Sequence, residues 1–187
     1  ICPSVEVVHL DGRNEAYRKI AWASADVFCS LSDNIQETFG ITPLEAMAAG
    51  LPVVVSDWNG YKESITTEVG FRINTSIPAS GSGADLAFRH ATDIDNYDFH
   101  LGHTCSFIGV DVDECTRAFD ALLNDPDLRQ RMGQNGRNRA KELYDWSVII
   151  PQYEALWDRL NRIRKSAGAS SPQSWPSRLD PYRGFNH

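Results

Sequence analysis

The chain has 187 residues, of which 42% are apolar, and this is enough for one domain with a sizeable core. Its formal net charge of −7 argues against a nucleic-acid-binding protein, because such proteins normally present a basic face. We therefore predict no nucleic-acid partner.

The cysteines and the first residues indicate the compartment. Cys2, Cys29, Cys105 and Cys115 form no CxxC pair, which is typical of ordinary thiols in a reducing compartment. The first residues lack both an initiator Met and a signal-peptide pattern, and no apolar run approaches the roughly 20 residues that span a bilayer. We expect a cytoplasmic protein, and the missing Met suggests a fragment of a longer chain.

Basic residues are concentrated late in the chain. Nine of the eighteen Lys and Arg residues fall between Arg129 and Lys165. One interpretation is a set of solvated helix faces. The other is a basic surface that contacts acidic lipid headgroups or phosphates, which would allow peripheral contact with the inner face of a membrane.

Short β-branched runs alternate with helical patterns in the first half. Predicted strands cover residues 5–9, 27–29, 51–55 and 69–73, and predicted helices cover residues 15–25, 42–49 and 61–67. Residues 51–55 are nearly all apolar, as in a parallel strand covered on both faces. This order predicts an α/β fold, with a Rossmann-like parallel sheet that carries helices on both faces.

The alternation of strand and helix patterns stops between about residues 75 and 109, where Pro, Gly and Ser are frequent. This segment is predicted to be an insertion. Three helices are predicted after it, at residues 113–123, 126–144 and about 148–165. We therefore predict a binding domain at residues 1–165 and an irregular tail at 166–187.

The most informative stretch is residues 37–50, ETFGITPLEAMAAG. Thr42, Pro43 and Glu45 suit the cap, first and third positions of a helix, so Thr42 and Glu45 are predicted to form a capping box. Leu44, Met47 and Ala48 are predicted as its apolar face. In a parallel sheet such a helix start lies at the carboxyl ends of the strands, where ligands bind.

This helix start predicts an anion site flanked by carboxylates. Gly40 would let a diphosphate approach the unpaired backbone N–H groups. Glu37 and Glu45 would repel phosphate, so hydroxyl-rich groups on either side of the diphosphate are their better partners. A nucleotide sugar has that layout. Judged on the helix start alone, Glu45 as a simple cap and Glu37 as a solvated loop acid remain the alternative.

The linked motifs resemble those of group 1 (family 4) retaining glycosyltransferases, which have the two-domain GT-B architecture. The resemblance rests on two glutamates, Glu37 and Glu45, separated by seven residues around Phe-Gly and Pro-Leu-Glu-Ala. It continues through ADVF at 25–28, GLPVVVSD at 50–57, Asn59-Gly60 with Glu63, NDPDLR at 124–129 and YDWS at 144–147. It covers about residues 5–165, apart from the insertion.

The resemblance implies that this chain is the C-terminal, donor-binding domain, incomplete at its N-terminal side. It implies that Glu37 lies beside the donor sugar as the catalytic residue, close to the reacting carbon. Further donor-binding roles are implied as follows: the backbone of Phe39, Gly40 and Ile41 and the Thr42 hydroxyl for the sugar and diphosphate, and Glu45 for the ribose hydroxyls. No cofactor and no metal is implied, since the nucleotide sugar is the donor substrate.

The resemblance also shows departures from the family pattern. Thr38 stands where Gly is frequent, and Asn59 replaces the first Gly of a Gly-Gly pair. The basic residues that the family places on the diphosphate have no match here, nor has the N-terminal domain that holds the acceptor. We therefore expect negligible transferase activity from this chain alone. The implied acceptor, held by the missing domain, is a glycan, a lipid-linked sugar or a small molecule.

Other readings stay open at this point. His100, His103 and Cys105 have the spacing of three metal ligands, but no fourth is obvious, and we predict no metal site. A sugar-nucleotide epimerase or a phosphorylase of the same architecture is one alternative function. A non-catalytic domain that keeps only the nucleotide-sugar pocket is another. The base, the sugar, the acceptor and the oligomeric state are not indicated.

Overall fold

A computed structural model describes residues 3–35 and 37–168 of the chain. The chain divides into two compact units, one ending at Tyr144 and the other beginning at Asp145. The first unit contains a parallel sheet with its helices. In the second unit, the described residues form one long helix and a few residues on either side of it.

The first unit alternates strands and helices in the predicted order. Its elements are α1 (Glu15–Ser24), β1 (Phe28–Ser30), α2 (Ile41–Ala49), β2 (Val53–Ser56), α3 (Tyr61–Ser64), β3 (Gly70–Ile73), β4 (Thr75–Ser76), α4 (Ala84–Ala91), α5 (Tyr97–Cys105), β5 (Gly109–Val110), α6 (Val112–Asn124) and α7 (Pro126–Tyr144). The parallel strands lie in the order β1-β2-β3, and the register places Phe28 opposite Val53 and Val53 opposite Gly70.

The core confirms that helices cover both faces of this sheet. β2 is buried along its whole length, and its alternate residues point into different clusters. Val53 and Val55 pack with Met47 of α2 and with Tyr61 at the start of α3. Val54 packs on the other side with Leu122 of α6. The run of apolar residues follows from this position, since a strand covered on both faces has no solvent side.

Three arginines of α7 bind the ends of three other helices. The contacts are Arg129 to the carbonyl oxygens of Leu122 (2.6 Å) and Leu123 (3.1 Å), Arg137 to that of Ala49 (2.7 Å), and Arg139 to those of Ser64 (2.9 Å) and Glu63 (3.1 Å). These carbonyls end α6, α2 and α3, where backbone acceptors lack helical partners and the dipole is negative. Part of the basic cluster is therefore structural, in contrast to both sequence-based interpretations.

The insertion is more ordered than its composition predicts. A short antiparallel pair, β4 with β5, brackets it, and Thr75 lies opposite Val110. Between them, α4 and α5 are joined through Asp95, which is 5% exposed and receives hydrogen bonds from Arg89 at 2.7 and 2.8 Å. These bonds from Arg89 lower the pKa of Asp95 to about 2, although burial opposes the shift. A search for apolar periodicity does not find the two helices, because a polar contact at Asp95, with Arg89 of α4 and His103 of α5, joins them.

The predicted strand at residues 5–9 is wrong. Val5, Val7 and Val8 are 61, 71 and 66% exposed, and no strand within the described residues pairs with them. A β-branched run becomes a strand only where a neighbour supplies hydrogen bonds, and the local pattern carries no information on that neighbour.

The second unit contains α8 (Trp146–Ser166), which starts two residues before the predicted bound. The Asp145 side chain caps it by accepting a 2.8 Å hydrogen bond from the Ser147 backbone. Trp146, Tyr153 and Trp157 are all more than half exposed, and no residue of α8 is buried. Most of the predicted tail, residues 169–187, lies outside the described part of the chain.

Candidate functional site

The loop that follows β1 is tied to the end of β2. The Ser56 hydroxyl donates to the carbonyl oxygen of Ser32 at 2.6 Å, and the Trp58 indole donates to that of Asn34 at 2.9 Å. Both contacts join the carboxyl ends of neighbouring parallel strands, which is where ligands bind in sheets of this kind. These contacts hold the first part of the loop, as far as Asn34, beside the end of β2.

Gly40 is the last residue of this loop before α2. It is buried, adopts a left-handed conformation with φ +77°, and is the cap residue of α2. A Cβ atom at this position would lie 2.0 Å from Cε1 of Tyr61, so the Tyr61 ring occupies the space that any side chain would need. Only glycine satisfies both the dihedral angle and the contact.

The predicted capping box is wrong for the same reason. The cap is Gly40, two residues before the predicted cap Thr42, and the helix begins at Ile41, so Thr42 is its second residue and Glu45 its fifth. Within the described residues, no side chain caps the helix N-terminus. Its first backbone N–H groups therefore remain available for an anionic ligand at the positive end of the helix dipole.

Tyr61 also contacts Glu37. Its hydroxyl donates to Oε2 of Glu37 across 3.5 Å and lies 3.2 Å from the Ser30 hydroxyl oxygen. Tyr61 is 1% exposed, and burial is the main cause that raises the pKa of its hydroxyl. The hydroxyl therefore keeps its proton at neutral pH and can act as a donor to the carboxylate.

The predicted site residues lie around this tyrosine and the start of α2. Glu37 is half-buried, whereas Ile41, Thr42 and Glu45 are exposed on the first turns of α2. Phe39 is 46% exposed, and its ring meets that of Tyr144 edge-on with centroids 6.2 Å apart. The predicted apolar face of α2 is confirmed at Met47, which is buried, and at Leu44, which packs against the core, but Ala48 is exposed. Pro43 and Ala46 are the other buried residues.

Sequence reasoning missed Tyr61 and Trp58 as parts of this site. Both flank Asn59-Gly60, which was noted only as a family motif, and an aromatic residue on each side of a turn was the available signal. Asn59 has a φ of +35°, as expected for a residue that tolerates a left-handed backbone. Gly60 lies so close to the other loop that a Cβ would be 2.2 Å from the carbonyl oxygen of Thr38.

The described residues contain neither a group of metal-ligand side chains nor a membrane-spanning helix. No group of three or more His, Cys, Asp or Glu side chains there is arranged to hold a metal ion. His100 and His103 lie on α5, where the His103 ring contacts Asp95 at 3.3 Å. No described helix is long and apolar enough to cross a membrane.

Fold and site together define an α/β domain of the Rossmann-like class, with its candidate site at the carboxyl ends of the strands. Residues 6–80 match the family described as "Glycosyl transferases group 1". They therefore belong to the group 1 glycosyltransferases, and the family predicted from the linked motifs is confirmed.

Similar proteins include two mannosyltransferases. The MMP alpha-(1->4)-mannosyltransferase of Mycolicibacterium hassiacum is 27% identical over 82% of this chain and 29% of its own length. The phosphatidyl-myo-inositol mannosyltransferase of Mycobacterium leprae is 32% identical over 78% of this chain and 29% of its own length. This chain thus spans less than a third of these relatives.

A solved structure supports the fold. Sucrose-phosphate synthase from Thermosynechococcus elongatus aligns with a TM-score of 0.53 and 24% identity, over 79% of this chain and 28% of that one. The parallel α/β architecture predicted for a GT-B C-terminal domain is therefore confirmed.

Proposed function

We propose that this chain binds the nucleotide diphosphate sugar of a retaining hexosyltransferase, which transfers the sugar to a hydroxyl acceptor. The observation that carries the proposal is the Glu37–Thr42 segment. This segment contacts the buried Tyr61 and leads into the start of α2, which has no side-chain cap. It also lies within residues 6–80, which match the group 1 glycosyltransferases.

In this proposal the diphosphate takes the place of the missing cap. Backbone N–H groups of Phe39, Gly40 and Ile41 would donate to it and to the sugar, with the Thr42 hydroxyl near a phosphate. These donors are held before the ligand arrives, because Gly40 is pinned by the Tyr61 ring. Such preorganised donors stabilise the charge that develops on a leaving diphosphate.

The two glutamates would bind the groups on either side of the diphosphate. Glu45 is exposed one turn into α2 and would accept hydrogen bonds from the ribose hydroxyls. Glu37 would accept hydrogen bonds from the sugar hydroxyls beside the reacting carbon. Its Oε2 receives the Tyr61 hydroxyl, and in this proposal its other oxygen would accept from the sugar. No metal or other cofactor is part of this proposal.

The acceptor and its location are proposed more broadly. A glycan, a lipid-linked sugar or a small molecule would be held largely by the part of the enzyme that this chain does not span, so we expect negligible transfer by this chain alone. We also propose a cytoplasmic location. Peripheral contact with the inner face of a membrane would use the exposed basic residues near the end of α8, namely Arg159, Arg162, Arg164 and Lys165.

Sugar recognition can be tested by ligand-observed NMR. The chain would be titrated with UDP, GDP, ADP and TDP and with sugar nucleotides of each base. We expect one base to be preferred, and its sugar nucleotide to bind more tightly than its diphosphate. Glu37→Gln should remove that difference while the diphosphate still binds. A variant that retains the full preference for the sugar nucleotide would overturn the role of Glu37, and turnover by the chain alone would contradict the expected inactivity.

A further inference from the structure

The insertion and the donor loops line a half-open cavity of about 370 Å³. Leu86 of α4, Thr104 of α5 and Phe107 line it from the insertion, and Ile35 and Trp58 line it from the loops after β1 and β2. Ligand sites for small molecules typically measure about 300–1,000 Å³ and are mostly apolar, so this cavity has the size and character of one.

The cavity is continuous with the donor loops. Trp58 forms part of its wall and donates its indole N–H to Asn34, while Gly60 two residues later packs against the Thr38 carbonyl. Ile35, another wall residue, precedes Glu37 by two positions. A group in the cavity would therefore contact both the loop that carries Glu37 and the loop after β2.

The lining selects the chemistry of the occupant. Its side chains are predominantly aliphatic or aromatic, and its ionisable member is Asp85, at the start of α4. A carboxylate disfavours phosphate or carboxylate ligands but accepts a hydrogen bond from a hydroxyl, as the Thr104 oxygen also can. A nucleobase needs several directed polar partners along its edge, and this wall supplies few.

We propose that this cavity is an acceptor subsite for the apolar part of a neutral, hydroxyl-bearing compound, with ring systems as the ligand class. Its role as an acceptor subsite rests on the proposed function, because the adjoining loops are the proposed donor site. In this proposal the insertion selects acceptors that carry an apolar group. It does so beside the loop of Glu37, the residue proposed to bind the sugar.

The test uses 2-naphthol, a neutral two-ring alcohol, titrated into the whole chain and followed by saturation-transfer and 15N NMR. Ala79 and Ser82 lie on the exposed loop that lines the cavity, so Ala79→Leu and Ser82→Leu fill it with little risk to folding. Ala87→Leu, on the exposed side of α4 and outside the lining, is the matched control.

We expect 2-naphthol to bind, either filling variant to weaken it at least about fivefold, and Ala87→Leu to leave it within twofold. Absence of binding at millimolar 2-naphthol, or equal binding by folded filling variants, would overturn the proposal. Displacement by uridine, guanosine, adenosine or thymidine would also overturn it, by assigning the cavity to a base. Nucleotide diphosphate binding is measured in separate titrations, so failure of the donor site and failure of this subsite give different results.

Discussion

The Tyr61 hydroxyl donates to the Glu37 carboxylate across 3.5 Å, and the same tyrosine ring fills the space above Gly40. One buried side chain thus fixes both the acidic residue proposed to face the sugar and the backbone proposed to face the diphosphate. Because Tyr61 is 1% exposed and packs with Val53 and Val55 of β2, the sheet itself holds the site in place.

Tyr61→Phe tests the first half of this arrangement. The ring remains, so Gly40 and the core keep their packing, but Glu37 loses its donor. We expect the affinity for a sugar nucleotide to fall about three- to tenfold, since a typical intramolecular hydrogen bond is worth on the order of 1 kcal/mol and this one is long. The affinity for the matching diphosphate should not change. Isothermal titration of both ligands provides the measurement, and equal losses for both would count against a specific link to Glu37.

Gly40→Ala tests the second half. The new methyl group would meet Tyr61 in a left-handed conformation, so we expect unfolding free energy to fall by about 2–4 kcal/mol. Urea unfolding gives that value, and Gly12→Ala, where no atom lies within 4 Å of the added Cβ, is the control. A Gly40→Ala protein as stable as the control would show that the loop does not adopt this path.

Arg139→Met tests the structural role of the basic cluster. Arg139 binds two carbonyl oxygens at the end of α3, directly beyond Tyr61, so its loss should destabilise the chain by about 1–3 kcal/mol. Arg131→Met, at an exposed position of the same helix, should have little effect. Thermal unfolding of the two variants decides the question. Equal melting temperatures for Arg139→Met and Arg131→Met would show that Arg139 is a solvated surface residue without a structural role.

The thiol of Cys29 provides a prediction on pH. The Cys29 side chain is exposed, but desolvation of its thiol by the surrounding atoms, reinforced by the neighbouring Cys115, raises the pKa from 9.0 to about 11. The folded chain holds this proton more tightly than the unfolded chain, so the associated stability is present below pH 9 and is lost as pH rises toward 11. We expect iodoacetamide to modify Cys29 slowly at pH 8, as followed by peptide mass spectrometry. Modification as rapid as in urea would contradict this expectation.

Much of the sheet could be predicted from the sequence because its strands are short, apolar and punctuated by Gly and Pro. Residues 51–55 predicted β2 to within two residues, and Asp125-Pro126 marked the start of α7. The helix start at Ile41 could not be predicted, because a Thr-Pro-x-Glu pattern favours a cap at Thr42. What overrides it is a tertiary contact, the Tyr61 ring against Gly40.

The candidate site was predictable in part for a similar reason. Linked motifs located Glu37, Phe39, Gly40 and Glu45, whose assigned roles remain predictions. Tyr61 was missed because its link to Glu37 spans 24 residues and exists only once β1 and β2 are paired. The cavity beneath the insertion was missed because it depends on the packing of α4, α5 and two distant loops.

The placement of the donor on α2 can be tested by the binding of nucleotide diphosphates to this chain and to Glu45→Ala, with Glu68→Ala as an exposed control. We expect that one diphosphate binds, that Glu45→Ala weakens its binding about fivefold or more through lost ribose hydrogen bonds, and that Glu68→Ala does not. Diphosphate binding that is equally strong in the wild-type chain and in Glu45→Ala would contradict the placement of the donor on α2.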